Sequence, residues 1–195
     1  MYMARVARHI TALDPSPAML ELLRENVAEA GLSNVSVVEG AWPDAEVAPH
    51  DVVLSSHSIY GVADFERAVR RMEAVARRRC YLLLRVVLPD SVMAQAALRV
   101  WGQPYDSPNF QVAYNALLQL GIFAHAQVED SGLWRPWTHA SLDTALEELK
   151  QRLCLAGETA HDGWLRELLA RELREVDGEW VWPRGTRSAL VWWER

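Results

Sequence analysis

The chain has 195 residues, 50% of them hydrophobic and 24% charged, with a net charge of -6. That length and balance fit one globular domain with a sizeable core and exclude a disordered or fibrous chain. The acidic total argues against a general nucleic-acid binder, whose surface is basic, and no apolar run nears the ~18 residues that cross a membrane. Met1 to Ile10 carries basic residues but no long apolar segment, so no secretory leader is expected and the chain reads as cytoplasmic. The two cysteines, Cys80 and Cys154, lie far apart in hydrophobic stretches and form no metal or redox spacing; both read as buried free thiols. Lys150 is the only lysine, which we read as compositional bias.

In chain order, Ile10 to Leu13 is a short apolar strand that runs into Asp14-Pro15-Ser16-Pro17. Ser16 is placed to cap a helix and Pro17 suits its first turn. That helix is predicted to reach about Ala30, with Met19, Leu23, Val27 and Ala30 on one face, and to stop at Gly31. Val35 to Val38 reads as a β-branched strand, and Val52-Val53-Leu54 as the core of a buried one. Asp64 caps a second helix with Phe65, Ala68, Val69, Met72 and Val75 or Ala76 on its face, closing on Arg77-Arg78-Arg79. Cys80 to Val87 is apolar apart from Arg85, as a strand covered on both faces would be.

Strands and helices that alternate in this way predict an α/β fold with a parallel sheet and helices on both faces. The second half reads as helical over 90–101, 107–120, 141–155 and 161–174, with a strand at 122–128. A terminal hairpin is expected from Glu179 to Trp182 and Ser188 to Trp193, turning at Pro183-Arg184-Gly185. The whole is one domain, 1–195, with 1–88 forming its first part and 89–195 carrying helical insertions and the last strands.

Asp14 is the most informative residue. It stands at the carboxyl end of a strand, where open α/β sheets bind ligands. Two carboxylate oxygens match the two hydroxyls of a ribose, although an acid here also suits helix capping.

The run Ala12-Leu13-Asp14-Pro15-Ser16-Pro17-Ala18-Met19-Leu20 resembles the second motif of class I S-adenosylmethionine-dependent methyltransferases. Val37-Val38-Glu39-Gly40-Ala41-Trp42 resembles the third strand and its loop, and Asp51 to Tyr60 the fourth strand and the segment after it. The resemblance implies a Rossmann-like methyltransferase fold with S-adenosylmethionine as cofactor. It places Asp14 on the ribose, Pro15, Ser16 and Met19 beside it, Gly40, Ala41 and Trp42 at the adenine, and Ser55 and Ser56 along the cofactor. Ala41 departs from the pattern, since an aspartate often stands near that position. His57 and Tyr60 are implied to face a small-molecule substrate, His57 as a candidate general base. By themselves, Met19 and Trp42 also fit core packing, and His57 fits a hydrogen-bonded loop.

The family begins with a strand and a Gly-rich loop, and no glycine precedes Asp14 here. The resemblance therefore implies that the first strand and that loop are missing. Such a loss predicts two unpaired strand edges and an apolar slot. The slot would be closed by direct pairing, filled by another chain as in a homodimer, or explained by a longer reading frame.

The aromatics Trp101, Tyr105, Phe110, Tyr114, Trp134 and Trp137 are read as a substrate lid or as core packing. The closing tryptophans are read as packing the last hairpin on the sheet. His125, His139 and His161 show no metal-like spacing, and no metal is implied. The functional readings are methyl transfer to a small molecule, a non-catalytic scaffold that has lost the glycine loop, and, ranked last, a nicotinamide-dependent oxidoreductase. The last lacks a Gly-rich fingerprint and any tyrosine four residues before Lys150.

Overall fold

The computed structural model describes residues 2–105, 108–129, 135–183 and 185–195. The chain divides into two compact units. The first comprises Met1–Val53, Val62–Cys80 and Glu194–Arg195; the second comprises Leu54–Gly61 and Tyr81–Trp193.

The first unit opens with a single 3-10 turn, Met3–Arg5; Tyr2 and Val6 are exposed. Strand β1, Ile10–Asp14, leads into helix α1, Pro17–Glu29. Ser16 caps α1, its Oγ accepting the Met19 N–H at 3.4 Å, and Pro17 occupies the first turn. Gly31 follows with φ 65°, a left-handed stop that costs glycine little. Strand β2, Val35–Glu39, then pairs parallel with β1, with Ala12 opposite Val37 and Asp14 opposite Glu39. The face of α1 is rotated from the one expected: Leu20 is buried, Leu23 and Val27 are half-buried, and Met19 and Ala30 are exposed.

Strand β3 covers His50–Ser56 and helix α2 covers Phe65–Val75. Asp64 caps α2 by accepting the Arg67 N–H at 2.9 Å, and Ala68, Val69, Met72 and Val75 form its buried face, as the periodicity predicts. Arg77-Arg78-Arg79 does not close this helix. Ala76 turns to extended backbone at once, and strand β4 runs over Ala76–Val87. The arginines lie exposed on it, and Arg79 bonds Glu194 at 2.7 and 3.1 Å. Cys80 is buried, and burial pushes its thiol up to about 12, so it stays protonated and inert.

The second unit holds helices α3 (Val92–Trp101), α4 (Phe110–Gln119), α5 (Leu142–Arg152) and α6 (Asp162–Glu172). Ser107, the predicted start of the second of these, lies outside the described residues. Leu146 and Leu149 of α5, Leu165, Leu168 and Leu169 of α6, and Ala96 and Ala97 of α3 form one buried cluster with Trp182. Strands β5 (His125–Val128), β6 (Thr138–His139), β7 (Arg174–Val176), β8 (Glu179–Val181) and β9 (Thr186–Glu194) complete the chain.

The described residues form three sheets: β1-β2, β3-β4-β9-β5 and β6-β8-β7. The terminal hairpin is therefore not formed. β8 pairs antiparallel with β6 and β7, while β9 pairs antiparallel with β5. Trp182 belongs to the helical cluster, with Trp180 packed against it. Arg184, at the predicted turn, lies outside the described residues. Cys154 is exposed, at φ 55°, and not buried as expected.

Among the described residues, β1 has a strand on one side only, and β3 is likewise an edge. Val52 and Leu54 of β3 are 48% and 38% exposed. Direct β1–β3 pairing is not seen; a side-chain bond, Thr11 Oγ1 to His50 Nε2 at 3.0 Å, links the two instead. No helix among the described residues is long and apolar enough to cross a membrane.

Candidate functional site

In the first unit, the parallel register sets Asp14 opposite Glu39, so the loop that follows β2 begins beside the acid. Gly40 N–H donates to the Asp14 carbonyl at 3.2 Å. A Cβ on Gly40 would lie 2.9 Å from Ala45 Cβ and 3.5 Å from Leu13 Cδ1. Ala45 cannot easily retreat, because its N–H is held by the Ala41 carbonyl at 2.9 Å in a tight turn. Gly40→Ala should therefore destabilise the chain by about 1–3 kcal/mol, read as a lower urea midpoint with unchanged slope.

Asp14 is half-buried. Its Oδ1 accepts the Ser16 N–H at 2.8 Å, which fixes the carboxylate at the head of α1. Pro15 is exposed between them. Met19 is 54% exposed, so core packing does not account for it. Trp42 is half-buried, and its indole N–H donates to the Ala68 carbonyl of α2 at 3.1 Å. Its ring is thereby fixed under α2, a structural role that the sequence left open. Ala41 is exposed and offers only backbone groups.

The second unit contains the other group of implied residues. Ser55 Oγ and Ser58 Oγ lie 2.9 Å apart, and Ser56 is exposed at the end of β3. His57 follows with φ 52°, a left-handed conformation uncommon for a residue with a side chain. Its N–H donates to the Leu83 carbonyl at 2.9 Å, which continues the hydrogen bonding of β4 for one residue beyond β3. The Arg85 N–H of β4 donates to the Tyr60 hydroxyl at 2.6 Å. Tyr60 thus ties its turn to the backbone of β4.

Tyr60 sits in a 3-10 turn, Ile59–Gly61, anchored by buried Ile59. Its Oη is 3.0 Å from His57 Nδ1, and the Arg85 guanidinium lies 5.6 Å from the Tyr60 ring centroid. Burial, aided by the Arg85 charge, holds His57 below the ordinary imidazole value. Burial likewise raises Tyr60, opposed by the Arg85 N–H bond and charge. His57 is therefore neutral and Tyr60 protonated near neutral pH. Arg85 is the residue whose role was not read from sequence, where it registered only as an interruption of an apolar strand; a lone charge in such a strand was the available signal.

The aromatics of the expected lid are partly accounted for. Tyr114 donates to the Ala124 carbonyl at 2.7 Å and packs on Phe110. Trp137 meets Trp182 edge-on and carries Arg152 4.0 Å from its ring centre. These are packing roles. Trp134 lies outside the described residues.

Residues 1–84 match the family model described as a methyltransferase domain. Sequence comparison with curated proteins gives no match. Among solved structures, the YcgJ protein from Bacillus subtilis is 12% identical, with 99% of this chain and 85% of that chain covered and a TM-score of 0.59. A candidate methyltransferase from Bacillus halodurans C-125 is 14% identical, with 98% and 85% covered and a TM-score of 0.57. Magnesium protoporphyrin IX methyltransferase from Synechocystis PCC 6803, with bound SAH, is 9% identical, with 100% and 67% covered and a TM-score of 0.50. By the match over residues 1–84 and the architecture it shares with these structures, the chain is of the class I methyltransferase fold.

Proposed function

We propose that this protein binds S-adenosylmethionine and supports methyl transfer to a small molecule. The observation that carries the reading is the strand-end carboxylate of Asp14, half-buried and held in place by the Ser16 N–H, in the segment that matches the methyltransferase domain. The donor set fits the cofactor. Oδ2 of Asp14 and the second lone pair of Oδ1 remain as acceptors for a ribose diol. Met19 offers an exposed apolar surface to a purine, and Gly40 keeps the wall beside Asp14 free of a side chain. Ala41 and Trp42 would contribute backbone groups at the adenine, with Pro15 beside the ribose. The magnesium protoporphyrin enzyme of the same fold holds SAH.

When bound, the cofactor supplies a methyl group on a sulfonium, already activated for transfer. The chain's own share is positioning and, where the acceptor must lose a proton, the His57–Tyr60 pair. Both cysteines are free thiols, which fits a cytoplasmic protein.

Titration calorimetry of S-adenosylmethionine and S-adenosylhomocysteine into the 195-residue chain tests this. Saturable binding is expected, and Asp14→Ala should weaken it by about 10- to 150-fold, the worth of a hydrogen bond to a charged group. A folded chain that binds neither compound would favour the scaffold reading, which the side-chain-poor Ala41 also suits.

A further inference from the structure

We propose that Glu39 sets the ligand preference of the Asp14 site: as a second carboxylate beside Asp14, it makes the site hold the sulfonium S-adenosylmethionine more tightly than the neutral thioether S-adenosylhomocysteine. The inference rests on the methyl-transfer reading above and adds to it a residue to which the sequence assigned no role.

The strand register carries the argument. β1 and β2 run parallel, and their last residues, Asp14 and Glu39, stand directly opposite one another. Neighbouring strands lie about 4.8 Å apart and side chains alternate between faces, so opposed residues project from the same face. Ala12 and Val37 share that face with the two acids, and Leu13 and Val38 take the other. Asp14 is tied down, its Oδ1 accepting the Ser16 N–H at 2.8 Å. Glu39 is exposed, and among the described residues its carboxylate has no partner.

Like charges directly opposite one another weaken a sheet, and among the described residues no cation pairs with either acid. A sequence that breaks such a local rule does so most often where function asks for it. A positively charged ligand relieves the repulsion, and a neutral one does not.

The two ligands differ in charge at one atom. In both, sulfur is attached to the C5′ carbon of the ribose, so a ribose held at Asp14 keeps its sulfur within a few bonds of the acids. S-adenosylmethionine carries one positive charge more than S-adenosylhomocysteine, and that charge is on sulfur. Methyl transfer leaves the electron pair of the broken sulfur–carbon bond on sulfur, which becomes neutral. The attraction to Glu39 is therefore present before transfer and absent after it. Unit charges roughly 10 Å apart attract by an amount worth about 2-fold in affinity in bulk water and about 15-fold at a partly buried protein site. Exposure of Glu39 places the effect toward the lower end.

The test is titration calorimetry of both compounds at low salt into the wild-type chain, Glu39→Gln, Glu39→Asp and Glu29→Gln, read as the ratio of the two dissociation constants. In Glu39→Gln the preference for S-adenosylmethionine should fall about 2- to 5-fold, with S-adenosylhomocysteine binding little changed. Glu39→Asp keeps the charge and should keep most of the preference. Glu29→Gln removes an equal charge at the last residue of α1, ~18 Å along the helix, and should leave the ratio as it is. Added salt should narrow the wild-type preference toward that of Glu39→Gln. If Glu39→Gln binds both compounds in the wild-type ratio, the proposal is overturned and the cofactor site stands. An equal shift in Glu29→Gln overturns it too, since net charge alone would then set the ratio. A folded wild-type chain that binds neither compound overturns the methyl-transfer reading and this proposal with it.

Discussion

Asp162→Ala should cost the chain about 3–5 kcal/mol of unfolding free energy, the scale set by breaking a buried ion pair from one side. Lys150 is only 5% exposed, on the α5 face that meets α6. Its ammonium lies 2.9 Å from Asp162 Oδ1 and donates to Oδ2 at 3.2 Å. Removing the carboxylate leaves a cation among leucines. The Asp162 side chain is partly open to water, which places the loss toward the lower end of that range. Lys150→Met combined with Asp162→Ala removes both charges and should recover most of the loss, since an apolar pair of similar volume is often neutral at such sites. Urea denaturation of the two variants checks this. A single variant within about 0.5 kcal/mol of wild type would mean that water already solvates the ammonium.

Leu149→Ala is the second large effect. Leu149 is fully buried where α5 packs on α6, in the cluster with Leu165, Leu168 and Leu169. Truncation removes the transfer free energy of three heavy atoms and leaves a void that helices held by several other contacts cannot close. A loss of about 2–5 kcal/mol follows. Leu22, exposed on α1, is the control: Leu22→Ala should stay within about 0.5 kcal/mol. Thermal or urea unfolding of both separates burial from a general intolerance of leucine loss, and equal losses would refute the assignment of the core.

What the sequence made legible was local. Ser16 and Asp64 act as caps because the capped N–H lies three residues on, whatever the rest of the chain does. The α/β alternation of the first half was readable for the same reason, since each element carries its own period. The misreadings came from partners far along the chain. β8 and β9 looked like a hairpin because they are neighbours in sequence, yet β8 is claimed by β6 and β7, and β9 by β5. Met19 fell on the expected helix face through a small error in phase, and the buried position belongs to Leu20. Lys150 was dismissed as composition, although Leu146, one turn before it, marked that face as apolar.

The candidate site divides in the same way. Asp14 was visible as an acid between a strand and a cap. The structural part played by Tyr60 was not, because its bond to the Arg85 N–H depends on where β3 stops and on a residue 25 positions away.

The free edges of β1 and β3 have a consequence for handling the protein. Neither strand carries a lysine or proline, the residues that natural edges use to repel a second chain. Asp14 at the end of β1 and His50 and Asp51 at the start of β3 are the ionisable groups these strands contain, and the outward surface of β3 includes Val52 and Leu54. Colloidal stability in dilute buffer thus leans on two carboxylates and on the overall negative charge. Acidification toward the sequence pI of about 5.5 removes that protection. Purified material should accordingly keep best at alkaline pH, low salt and low concentration, with light scattering rising first as the buffer is acidified.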